Sequence, residues 1–215
     1  MSSRKVILAS AATIMLWSTR VFSAILATDL NAMAGFHGTT DFTSNVGTLF
    51  LRAEVDYAVY EPGKFQLTFG PGSDPSNGTQ YLYAYELHNT GTVGNSSDRD
   101  PDFLSVGFHG DQQEQNIGFL NANIGDDPSA STFIPASGPP YTSATWSFAT
   151  PLPDTHYSEV LRFTSPIRPG FDDASVQGSA LKTQKSLPSP VPEPGTTLAA
   201  CGMVAALLMR RRASK

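Results

Sequence analysis

Between Leu49 and Tyr60 the chain reads L-F-L-R-A-E-V-D-Y-A-V-Y, with every odd position apolar or aromatic and Arg52, Glu54 and Asp56 among the even ones. A period of two places successive side chains on opposite faces, so this stretch predicts a half-buried strand with one wet face. After Glu61-Pro62-Gly63-Lys64 the alternation resumes in Phe65-Gln66-Leu67-Thr68-Phe69. The short, turn-forming link predicts that the two pair as a hairpin. A Gly/Pro/Ser loop from Gly70 to Thr79 leads into Tyr81-Leu82-Tyr83-Ala84-Tyr85-Glu86-Leu87-His88-Asn89, whose three tyrosines and Leu87 share a face. Further short strands are predicted at Phe103–Phe108, Ile117–Leu120, Thr145–Phe148 and Val160–Phe163, with a last one near Ala174–Val176.

Gly, Pro, Asn and Asp punctuate the gaps, and no stretch of the body repeats its apolar residues every 3.6 positions. Seven or eight short strands with polar turns predict an all-β chain, an antiparallel β-sandwich or jelly-roll-like single domain over residues 28–176. From 177 to 190 the composition shifts to Gly, Ser, Lys, Gln and Pro, which predicts a solvated linker.

The two ends follow a different pattern. At the N-terminus Arg4 and Lys5 precede an apolar run from Val6 to Trp17, and small residues follow. This is the layout of a secretory signal peptide, placed over residues 1–27. Val21-Phe22-Ser23 offers a cleavage site before Ala24, and Ala32-Met33-Ala34 a second one. At the C-terminus Val191-Pro192-Glu193-Pro194 opens a segment, residues 191–215, in which an uncharged run from Gly195 to Met209 ends at Arg210, Arg211 and Arg212. Proline on either side of Glu193 keeps that turn extended, outside any helix. The apolar run suits a helix, and the arginines resist translocation and fix its topology. About 15 residues fall short of the roughly 20 that span a typical bilayer core, so the expected membrane helix is short. Leu198-Ala199-Ala200-Cys201 spells a lipobox-like string, but at the end of the chain opposite to where lipidation acts.

Pro192-Glu193-Pro194, the apolar segment and the arginine triplet together resemble the PEP-CTERM sorting signal of exported bacterial proteins. The resemblance covers some 25 residues. Looser similarity to bodies of that family lies in Tyr83–Asn89 and in Leu161–Pro166. It implies a precursor held in the membrane until an exosortase-type processing enzyme removes the tail, with Val191, Pro192, Glu193 and Pro194 as the residues that enzyme reads. It also implies an exopolysaccharide setting, an uncharacterised all-β body and no activity.

Charge narrows the function further. Seven of the 14 basic residues lie in the terminal signals, whereas all 19 acidic residues fall between Asp29 and Glu193, so the body is near −12. Such a surface repels phosphates, which excludes nucleic acid as a partner. The single cysteine, Cys201, lies in the tail, so the body holds no disulfide and no cysteine-based zinc site.

Candidate chemistry is sparse. His37, His88, His109 and His156 are scattered and never paired at a metal-ligand spacing, so they read as surface or turn residues, and no cofactor or metal is expected. Asp98-Arg99-Asp100-Pro101-Asp102, Asp126-Asp127 and Asp172-Asp173 read as turn acids, with Ca²⁺ binding left open. Glu86, Asp111, Glu114 and Glu159 include no pair selected by spacing for glycoside hydrolysis. Tyr81, Tyr83, Tyr85, Tyr141 and Trp146 suit a core better than a sugar-stacking platform. The expected function is that of an exported, non-enzymatic envelope or matrix protein, membrane-anchored as a precursor and then at the cell surface or outside the cell. Extracellular polysaccharide is a further partner in that setting. The alternatives are a carbohydrate-binding or carbohydrate-active domain, and a permanently tail-anchored protein.

Overall fold

The computed structural model describes residues 25–192, apart from 113, 123, 124, 136, 139 and 140. Most of the expected leader, and the tail from Glu193 with Arg210, Arg211 and Arg212, lie outside the described residues. The described chain is mostly antiparallel β in two sheets. Its elements in order are α1 (Ile25–Thr28), β1 (His37–Val46), β2 (Leu49–Tyr60), α2 (Phe65–Phe69), β3 (Tyr81–Asn89), β4 (Asp98–Arg99) and β5 (Phe103–Gln112). They continue with β6 (Gln115–Leu120), β7 (Ala130–Ile134), β8 (Tyr141–Ser147), β9 (Val160–Ser165), β10 (Pro169–Gly178) and β11 (Leu181–Pro190).

Sheet one runs β1-β2-β3-β9-β6, with the short β4 added parallel to β2; sheet two runs β11-β10-β5-β8-β7. The two share one core. Leu51, Ala53, Val55 and Val59 of β2 and Tyr83, Tyr85 and Leu87 of β3 meet Leu104, Val106, Trp146, Val176 and Leu187 of sheet two. The odd-numbered apolar positions of β2 and β3 are those that turn inward, as their alternation predicts.

The outer face of sheet one changes character along its length. At one end Ala58, Tyr60, Leu82, Ala84 and Val160 form a second apolar cluster, closed by Leu26 of α1 and Phe65 of α2. Leu26 is 1% exposed, and the Ala27 carbonyl lies 2.9 Å from His37 Nδ1. The last residues of the expected leader therefore pack as part of the domain.

Two sequence expectations are corrected. Phe65–Phe69 is not the second strand of a hairpin but a short helix, ended by Gly70 at φ 90°. Phe65 and Phe69 also fit an i, i+4 helical pair: their rings stack at 4.4 Å, Phe65 packs edge-on to Tyr60, and Leu67 is left exposed. Nor is 177–190 a solvated linker. β10 extends to Gly178, and β11 pairs with it from Gly178↔Leu181 to Pro169↔Pro190. Leu187 and Ser189 are fully buried. Because β11 lies at the edge of its sheet, Pro188 and Pro190 are tolerated. Its exposed Lys182, Gln184, Lys185 and Ser186 give it a linker-like composition. Strands β1 and β7 also form where the sequence carries no clear alternation.

Candidate functional site

The tyrosine ladder is interior. Tyr83 stacks on Phe163 at 4.9 Å and Tyr85 lies 5.9 Å from Trp146; all four rings are fully buried. Their polar tips are tied down inside the domain, Tyr83 Oη to the Ile167 carbonyl, Tyr85 Oη to that of Pro188, and Trp146 Nε1 to that of Gly118. Tyr81 and Tyr141 are partly buried and pack against the same core. None of these rings forms an exposed row.

The Asp-rich loops staple turns. Asp98 accepts hydrogen bonds from Thr92 N and Asn95 Nδ2 and lies 3.6 Å from Arg52 Nε. Asp100 accepts from Asn89 Nδ2, and Asp102 from Ser179 N. Asp126 pairs with His156 at 2.9 Å, and Asp172 with His109 at 2.6 Å. Each of these five carboxylates thus has at least one oxygen engaged within the domain.

Beyond the apolar cluster, the outer face of sheet one becomes a run of ionisable groups. The β2–β3 register sets Asp56 opposite Glu86 and Glu54 opposite His88; the β1–β2 register adds Thr39 beside Asp56 and Asp41 beside Glu54. Glu86 and His88 are two apart on β3, so both project from this face. His88 Nε2 lies 3.6 Å from Glu86 Oε2 and 4.0 Å from Asp56 Oδ2. Asp56 is 4% exposed and Glu86 1%. Asp56 Oδ1 accepts the Thr39 hydroxyl, whereas Glu86 Oε1 and His88 Nε2 have no hydrogen-bond partner among the described residues. The Tyr157 ring sits 5.7 Å from that of His88.

The electrostatics follow from burial. Desolvation raises the pKa of Glu86, with the neighbouring His88 imidazole working against it. Desolvation likewise raises Asp56 against its Thr39 hydrogen bond, and raises Glu54, with Asp56 adding to it. For His88, burial alone would lower the pKa, but Glu86, Asp56 and Glu54 outweigh it and raise it. His88 is thus no surface histidine, contrary to the sequence expectation. The overlooked signal was Glu86-x-His88 inside an alternating strand, a spacing that puts both on one face; the partner Asp56 comes from the register.

The other carboxylate candidates separate. Glu159 is buried, and its oxygens accept from Ala122 N and Gly125 N. Glu114, 3% exposed, has no hydrogen-bond partner for either oxygen among the described residues, and burial pushes its carboxyl up to about 7. Of the four residues expected to carry a sorting signal, Val191 and Pro192 are described and Glu193 and Pro194 are not. Val191 N donates to the Arg168 carbonyl at 3.2 Å, and a Cβ at Gly170 would lie 2.7 Å from its side chain. The motif therefore starts flush against the end of β11. No family model matches the chain, nor does any curated protein or solved structure.

Proposed function

We propose that the chain is an exported envelope or matrix protein whose precursor is held by its C-terminal tail and processed through a PEP-CTERM signal, with a structural or adhesive role in an exopolysaccharide setting. In this reading a signal peptide starts translocation, and the short helix ending in Arg210, Arg211 and Arg212 stops it. An exosortase-type enzyme then reads Val191 to Pro194 and removes the tail. The two sheets form the β-sandwich, jelly-roll-like body that is displayed outside the cell.

The observation that carries this proposal is the order of the tail: a Pro-Glu-Pro turn, an uncharged run and an arginine triplet, in that sequence and at that spacing. The burial of Tyr83, Tyr85 and Trp146 favours a structural role over sugar binding, because a stacking platform needs exposed ring faces. The acidic body suits a secreted surface that stays soluble and repels nucleic acid.

Expression of the full chain in a host with an exosortase, followed by fractionation and intact mass, tests the reading. The expected product lacks both ends and is recovered from the surface or medium. A full-length chain retained in the membrane fraction would instead make it a permanently tail-anchored β protein.

A further inference from the structure

We propose that Asp56, Glu86 and His88 form a site for a divalent transition-metal ion of the zinc class on the outer face of sheet one. Each residue offers one ligand atom, and the three lie within 4.8 Å of one another. With metal–ligand bonds of about 2.1 Å, two ligands of a tetrahedral zinc ion sit about 3.4 Å apart. The His88–Glu86 separation of 3.6 Å is already close to that, and the His88–Asp56 separation of 4.0 Å needs only a small contraction.

Burial supplies an independent reason. Glu86 projects into the cluster at 1% exposure, yet its Oε1 has no hydrogen-bond partner among the described residues, and neither does His88 Nε2. Buried polar atoms are normally satisfied, and buried charges are paired or coordinate a metal. Glu54 and Asp41 extend the negative charge along the same face, and the nearby Arg52 is engaged with Asp98. His88 is left as the local counter-charge for several carboxylates. A dication between Glu86, Asp56 and His88 would give the unpartnered imidazole nitrogen and the buried Glu86 carboxylate a ligand bond and offset the repulsion.

The ligand set chooses the metal class. An imidazole among the ligands disfavours Ca²⁺ and Mg²⁺, which take oxygen donors, while carboxylates disfavour Cu(I). Two carboxylates and one imidazole suit Zn²⁺, with water in a fourth position. The ion would pin β2 to β3, since Asp56 comes from one strand and Glu86 and His88 from the other. The competing occupant is a proton, which would leave an imidazolium between two carboxylates.

The test uses the full chain in mild detergent with Cys201→Ser, stripped by a chelator and titrated with zinc chloride near neutral pH by calorimetry. The expected result is saturable binding of one equivalent with a rise in Tm. Glu86→Gln and His88→Gln should each weaken binding by at least the order of 100-fold that loss of even an outer partner can cause. His109→Ala with His156→Ala, which removes the two surface Asp–His pairs, should leave it intact. If Glu86→Gln misfolds, Asp56→Asn and the visible spectrum of Co²⁺ bound to the wild-type chain report on the same site. Absence of saturable binding, or binding kept by Glu86→Gln and lost with the surface histidines, overturns the proposal.

Discussion

Glu114 illustrates how a single side chain sets a pH response. Its carboxyl is buried without a hydrogen-bond partner among the described residues and is pushed up to about 7. A raised carboxyl binds its proton more tightly in the folded state than in the unfolded one. Folding is therefore favoured while both states hold the proton, and stability is lost as pH rises from the ordinary value near 4.5 through about 7. Urea unfolding at pH 5 and pH 8 should show the loss, and Glu114→Gln should recover about 1–2 kcal/mol at pH 8 with little change at pH 5. An equal effect at both pH values would contradict it. At this scale the sequence was only partly legible. Asp100 and Asp102 lie in the loop after β4, as Asp beside Pro signals, whereas Asp98, read as a solvated turn acid, is buried in β4. Glu114 and Glu86 read as ordinary acids, because burial depends on what the rest of the chain lays over them.

Strands with strong alternation were legible as elements, and those held chiefly by their neighbours were not. β2 and β3 declare themselves because one face carries Leu51, Val55, Tyr83 and Leu87 and the other carries charge. β11 offers few inward apolar residues, Leu181 and Leu187 among them, and is held by a ten-residue ladder to β10. Its edge position lets Pro, Lys and Gln persist, so its composition reads as a tether. The two descriptions differ in energy. Leu187→Ala should cost about 2–4 kcal/mol if Leu187 fills a core site, and nothing measurable in a solvated linker. Denaturant unfolding of the variant decides between them. The acidic cluster belongs to this scale too. Glu86 and His88 were readable as one face of a strand, but Asp56 joins them through a β2–β3 register that the sequence does not state.

For the whole molecule, the consequence of β11 is that the last described strand ends where the proposed sorting motif begins. Pro190 is the last residue of the strand, and Val191 is tied by its N–H to Arg168 and seated against Gly170. An enzyme reading Val191 to Pro194 must bind extended backbone, and on this chain the first of those residues is engaged by the domain. Between that anchor and the apolar run that starts at Gly195 there is little free chain. Access is then limited by how readily the end of β11 frays, an opening that costs less at a strand terminus than in the core. Inserting about ten Gly/Ser residues between Pro190 and Val191 adds roughly 15–20 Å of flexible reach. If the tail is processed as proposed, this insertion should speed its removal several-fold in pulse-chase labelling. Mild destabilisation of β11 by Leu187→Ala should act in the same direction, while Arg210–Arg212 remain unchanged. An insertion that leaves the rate unchanged would mean that the motif is already free where the domain ends.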